Sequence, residues 1–222
     1  MRKILSYDSV LVRLFNTVTN IMLVNILWIL CSIPIVTMGA ATTAAYYVFY
    51  HNITGEDEAV IKPFFKAFKQ SFTQATLLWL PLLLIGVVLV LDVMFLLANY
   101  MNTFHVLWIA TAVIGLLYLI VISHCFAIMG RFDAPIKLLI RNCLLIFLLN
   151  FIRSFAILLL TVTLPLVLIF MPQLVTDTLP LWLILMFGLS IYLNARMFLI
   201  SFDKSAVKTD GMITEENGYD SI

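Results

Sequence analysis

Long uninterrupted apolar runs, with polar residues gathered between them, dominate this chain from end to end. A membrane-spanning helix needs about 20 predominantly apolar residues at ~1.5 Å rise each. Four stretches satisfy this directly: approximately 14–33, 76–98, 105–129 and 180–200. The stretch 135–171, at roughly 37 residues, would be ~55 Å of helix and is too long for one crossing. Its first half carries Lys137, Arg141 and Asn150, so the pattern predicts an interfacial helix over 134–151 leading into a span at 152–171.

The sharpest helical period lies at 61–73, IKPFFKAFKQSFT. Ile61, Phe64, Phe65, Phe68 and Phe72 fall within roughly 100° of arc, with Lys62, Lys66, Lys69 and Gln70 on the other side. A Phe face backed by a Lys face suits a helix lying in the interface against anionic lipid. A helix docked on a protein partner, with the aromatics packed against it, is the alternative.

The placement of charge decides how residues 37–53 are read. Basic residues cluster at Arg2, Lys3 and Arg13; at Lys62, Lys66 and Lys69; at Arg131, Lys137, Arg141 and Arg153; and at Arg196, Lys204 and Lys208. The connections 99–104 and 171–179 contain none. With every basic cluster cytoplasmic, 76–129 and 152–200 are hairpins, and the chain crosses an even number of times between Arg13 and Lys62. Residues 38–53 therefore return, as a short or re-entrant second segment of a hairpin over 14–53. The turn between is SIPIVTMGAATTAAYY at 32–47. Pro34 removes a backbone donor, Thr37 can satisfy a freed backbone group, and Gly39 can take backbone angles that other residues avoid. Ala40 with Ala44, and Ala41 with Ala45, stand at small-xxx-small spacing for close helix approach. A single Pro-kinked helix is the alternative, and it would put Lys62, Lys66 and Lys69 outside.

Composition narrows the function classes. With 63% hydrophobic and 11% charged residues, a mean hydropathy of +1.09 and a net charge of +1, the chain fits neither a soluble domain nor a nucleic-acid binder. Cys31, Cys125 and Cys143 lie in apolar stretches without metal-ligand spacing and read as small buried residues. Asp8 and Arg13 break the first apolar run, so a cleaved signal peptide is not expected. No constellation offers a nucleophile with its base, a metal cluster or a phosphate-cradling loop. Neither enzymatic activity nor a cofactor is expected.

Ionisable and amide groups within spans are the remaining candidates. Asp92 sits about six residues from the end of its span, as a structural polar contact or as a proton or cation site. Arg13, Asn16 and Asn20 share one face of the first span, and Ser190 and Asn194 share one face of the last, with Arg196 near its end. FKQSF at 68–72 before PLLLI at 81–85, and FIRSF at 151–155 before PLVLI at 165–169, hint at a duplicated unit. The segment 203–222 reads as a polar, disordered cytoplasmic tail.

Asn25 and Trp28, then IPIVTMGAATTAAYY at 33–47, then FFKAFKQSFTQAT at 64–76, occur in the order that resembles the YesL family of bacterial polytopic membrane proteins. That resemblance implies a multi-pass protein of the plasma membrane of Gram-positive bacteria, often encoded with carbohydrate importers of the ATP-binding cassette class. It implies importer permease subunits as partners, alongside membrane lipid. The reading is an all-α polytopic bundle, one membrane domain over 1–202, with about six membrane segments, interfacial helices and both termini cytoplasmic. Its function is that of an accessory or regulatory subunit, or alternatively of a small transporter or channel using Asp92 and the polar faces.

Overall fold

In the computed structural model, which describes residues 10–55, 59–98 and 105–208, the chain is all-helical. Helix α1 (Val10–Ser32) is followed by a single 3-10 turn, Ile35–Thr37, and by α2 (Met38–Thr54). Then come α3 (Ile61–Ala98), α4 (His105–Met129), α5 (Ile136–Leu149), α6 (Phe151–Phe170) and the short α7 (Pro172–Asp177) and α8 (Leu179–Leu181). A five-residue π-helical segment, Trp182–Met186, leads into α9 (Phe187–Lys208). Among the described residues, four stretches are long and apolar enough to cross a membrane: Val12–Ser32, Ile61–Ala98, Leu107–Met129 and Leu179–Phe202. A fifth is added when α5 and the first part of α6, bent by 114° about Asn150, are taken as one broken span. The N-terminal residues 1–9, the acidic loop 56–58, the connection 99–104 and the tail from 209 lie outside the described residues.

The core is organised around α2. Trp28 Nε1 donates to Thr42 Oγ1 at 3.0 Å, and Asn20 Nδ2 to Asn52 Oδ1 at 3.4 Å, so α2 runs back antiparallel along α1. Ala40, Ala41, Ala44, Ala45 and Tyr50 are fully buried, as is Phe64 of α3. Because α1, α3, α4 and α9 all pack on α2, it needs no apolar outer face and holds Thr43, Tyr46 and Tyr50 inside the bundle. In lipid, helices gain little from apolar burial alone, so close packing of small residues and hydrogen bonds between helices carry the association.

Gly39 shows this. The sequence reading makes it a turn residue valued for its backbone freedom; it lies instead within α2 in right-handed conformation. Its role is proximity: a Cβ there would stand 2.8 Å from Trp79 Cβ and 3.0 Å from the Ala75 carbonyl oxygen. At Gly130, just past α4, a Cβ would meet Tyr46 Cβ at 2.8 Å and the Thr43 oxygen at 3.0 Å. Backbone freedom is used at Gly55, whose φ of 79° caps α2.

A second difference concerns 61–98. The interfacial helix 61–73 and the span 76–98 form one continuous 38-residue helix, ~57 Å long. No Gly or Pro stands at 73–76 to separate them. A buried stripe, Phe64, Ala67, Ser71, Ala75, Leu78 and Leu82, follows α2 without interruption. Trp79 Nε1 reaches the Ile35 carbonyl at 2.7 Å, which sets the α1–α2 turn beside the middle of α3. Beyond that level α3 pairs with α4, where the Tyr118 hydroxyl lies 2.5 Å from the position of a Gly86 Cβ and the Thr111 hydroxyl donates to Asp92.

On the other side, α9 runs antiparallel to α6, with Arg153 Nη1 at 3.5 Å from the Ile200 oxygen. It lays Phe198 and Phe202 against Tyr46 and Tyr50. Helix α9 continues through Lys208, so the first residues assigned to a disordered tail are helical. Cys125 and Cys143, unrelated by spacing, are brought to an Sγ–Sγ distance of 2.9 Å between α4 and α5.

Candidate functional site

A cavity of about 640 Å³ lies between α1, α2, α4, α6 and α9, with Trp79 of α3 on its edge. Its volume falls in the ~300–1,000 Å³ range of small-molecule sites, which combine mostly apolar walls with a few placed polar groups. Two aromatic pairs form its sides. Trp28 stacks on Phe187 with centroids 4.9 Å apart, and Trp79 meets Phe126 edge-on at 6.0 Å.

Among the lining residues Tyr46, Ser123, Phe126 and Asn194 are buried, Ile29 and Met38 are half-buried, and Ile33 at the rim is 73% exposed. Asn194 Nδ2 donates to Thr161 Oγ1 at 3.2 Å, while its buried Oδ1 meets no donor among the described residues. Ser32 Oγ, also buried on the lining, has no partner among them either. Ser123 Oγ lies 2.8 Å from His124 Nδ1, behind the wall.

The wall from α9 depends on a local break in helical register. A π-helical turn shifts the backbone bonding pattern, and such turns recur at functional sites. Gly188, two residues past it, gives its N–H to Asn25 Oδ1 at 2.6 Å across the α1–α9 contact. That bond holds Phe187 over Trp28 and Ser190 in the lining. Asn25 is fully buried and serves as a side-chain acceptor for α9.

Of the polar candidates read from the sequence, Asn194 lines the cavity, as does Ser190 from the same stripe. Asp92 stands away from it, held by Thr111 in the α3–α4 pair. Arg13, Asn16 and Arg196 are exposed, and Asn20 is half-buried on Asn52. At the turn, Thr37 donates to the carbonyls of Cys31 and Pro34, closing the end of α1, while Pro34 itself is exposed. The Phe/Lys helix is divided. Phe64 is fully buried and Phe68 packs partly on the core, whereas Lys62, Phe65, Lys66, Lys69 and Phe72 are exposed.

Tyr46, Thr161, Phe126 and Trp79 were not singled out from the sequence as site residues. The i, i+4 pair Ser190 and Asn194 was the one legible signal; Thr161 sits on a helix with no polar stripe of its own, and nothing in sequence ties it to Asn194.

The family model described as "Protein of unknown function, DUF624" matches residues 21–93. That stretch contains α2, the turn before it and most of α3. The uncharacterized protein YteU of Bacillus subtilis (strain 168) is 28% identical over 152 residues, covering 67% of this chain and 68% of that protein. No solved structure matches.

Proposed function

We propose that this chain is an integral protein of the bacterial plasma membrane that serves as an accessory or regulatory subunit of a carbohydrate importer of the ATP-binding cassette class. In this reading it works through protein contacts and carries out no chemistry of its own. The observation that carries it is the outer side of α3 at its N-terminal end. Lys62, Phe65, Lys66, Lys69 and Phe72 are exposed there on a helix whose other side is locked to α2 through Phe64, Ala67 and Ser71. A rigid, charged and aromatic face exposed on the outside of the bundle is suited to a partner. The similarity to the DUF624 model and to YteU accords with the YesL resemblance, and it is that resemblance alone that implies the importer permease as partner.

The charge pattern supports six membrane segments, α2 counting as the short one, with both termini and the Lys face cytoplasmic. A small transporter is the second reading, supported by the cavity and its Asn194 end rather than by Asp92.

Phe65→Ser and Phe72→Ser combined with Lys69→Glu should lower recovery of importer permease in detergent pull-down at least about tenfold. Thermal stability should fall by no more than roughly 1–2 kcal/mol, since Lys69 is exposed and Phe65 and Phe72 lose only edge contacts to Phe64 and Phe68. Undiminished recovery, or no permease recovered with the parent chain, counts against the subunit reading. Solute flux in liposomes, abolished by Asn194→Leu, would favour the transporter.

A further inference from the structure

We infer that the α3–α4 hairpin docks, within the membrane, against a transmembrane helix of another protein that carries a basic side chain level with Asp92. The apolar run 77–98 of α3 holds one ionisable residue, Asp92. It stands where α3 is least enclosed: beyond Leu82, Leu96 is the one buried residue of this helix. Val88, Leu91 and Phe95 around it are apolar and exposed, and Asp92 itself is half-exposed. Thr111 of α4 donates to Asp92 Oδ2 and is the one hydrogen-bond partner of this carboxyl group among the described residues, which leaves Oδ1 without a donor. A carboxylate among lipid-facing aliphatic side chains is costly until a counter-charge meets it.

The chain does not bring that charge itself. No Lys or Arg occurs between Lys69 and Arg131, or between Arg153 and Arg196. Lys69 stands 23 residues before Asp92 on α3, ~34 Å along the axis, and Arg131 lies past the far end of α4 from Thr111. Phe198 meets His124 at 5.0 Å, which sets Arg196 toward that same far end. A second copy inserted in the same direction therefore carries its cations at the wrong level, and the occupant is a different protein. The seam has room for it. Gly115, one turn along α4 from Thr111, has nothing within 4 Å of its Cβ position, so a helix can approach closely beside the carboxylate. An Arg on that helix would pair with Asp92 while the helix body covers the exposed aliphatic side chains.

The test reconstitutes the full chain in phosphatidylcholine vesicles with synthetic leucine–alanine helices of about 20 residues. Each carries one Arg, Leu or Glu at the depth of Asp92, and energy transfer between labelled chain and labelled helix reports association. The Arg helix should associate at least about tenfold more tightly than the Leu or Glu helix. Asp92→Asn should bring the Arg helix down to the level of the Leu helix. Gly115→Leu keeps the carboxylate and fills space that the hairpin leaves open, so it should weaken association several-fold without lowering the melting temperature. Equal transfer to the Arg and Leu helices, or undiminished transfer in Asp92→Asn, overturns the proposal. So does self-association of the chain that Asp92→Asn abolishes, since the seam would then belong to a second copy. The proposal rests neither on the importer permease nor on the Lys face at the other end of α3, so either reading can fail alone.

Discussion

Gly188→Ala is expected to destabilise the protein by roughly 2–3 kcal/mol, the upper part of the usual range for overpacking. A Cβ at this position would stand 2.6 Å from the Ile21 carbonyl oxygen and 2.9 Å from Asn25 Cβ. Neither atom is the far end of a flexible side chain, so α1 and α9 must separate. Separation also strains the 2.6 Å bond from the Gly188 N–H to Asn25 Oδ1, a buried donor that lipid cannot satisfy. Gly115→Ala is the matched control: nothing lies within 4 Å of its Cβ position, and alanine improves helix propensity. The difference between the two variants, measured by reversible unfolding in mixed micelles, isolates the contact from the generic effect of adding a methyl group. A Gly188→Ala change within about 0.5 kcal/mol of Gly115→Ala would falsify the close α1–α9 approach.

The same contact bears on the cavity, because Asn25 and Gly188 hold the wall formed by Phe187 and Ser190. Loosening α9 should therefore disturb that wall before it unfolds the bundle. This couples a packing glycine to a site it does not line, through one buried amide.

The helical class was legible because lipid leaves the backbone few options: apolar runs of about 20 residues must satisfy their own hydrogen bonds as helices. The close approach of α2 was half legible. Its alanine spacing announces a small-residue face, but what Gly39 does depends on Trp79 and Ala75, which lie far along the chain. The Phe face misleads for a related reason. Periodicity centres it on Phe68, while α2 takes the adjoining stripe through Ala67, Ser71 and Ala75, so Phe64 turns inward and Phe65 outward. Small residues carry little weight in an amphipathic pattern, yet they mark where backbones meet. The cavity was least legible, since its polar groups come from five helices and only two pairs, Thr42 with Tyr46 and Ser190 with Asn194, are neighbours on one of them.

Val36→Asp is expected to cost about 2.5–3.5 kcal/mol, the penalty for an acidic side chain at the centre of a membrane helix. The α1–α2 turn exposes Ile33, Ile35 and Val36, by 73%, 58% and 45%, and residues 32–47 contain no charged side chain. Trp79 fixes the level of this turn on α3. Lys69 lies ten residues before Trp79 and Ala98 nineteen residues after it, ~15 Å and ~28 Å along the axis. With Lys69 at the cytoplasmic boundary, a hydrocarbon layer of about 30 Å places the turn inside lipid rather than beyond it. A turn so placed keeps its exposed aliphatic side chains in acyl chains and opens the cavity rim to the bilayer instead of to water. It also explains why Thr37 must close the carbonyls of Cys31 and Pro34, which water cannot reach there. Val36→Asn separates charge from polarity and should cost markedly less. Stability of Val36→Asp within about 0.5 kcal/mol of the parent, together with labelling of Val36→Cys by a membrane-impermeant maleimide, is the result expected of a turn that reaches water, and it would make α1 and α2 two full crossings.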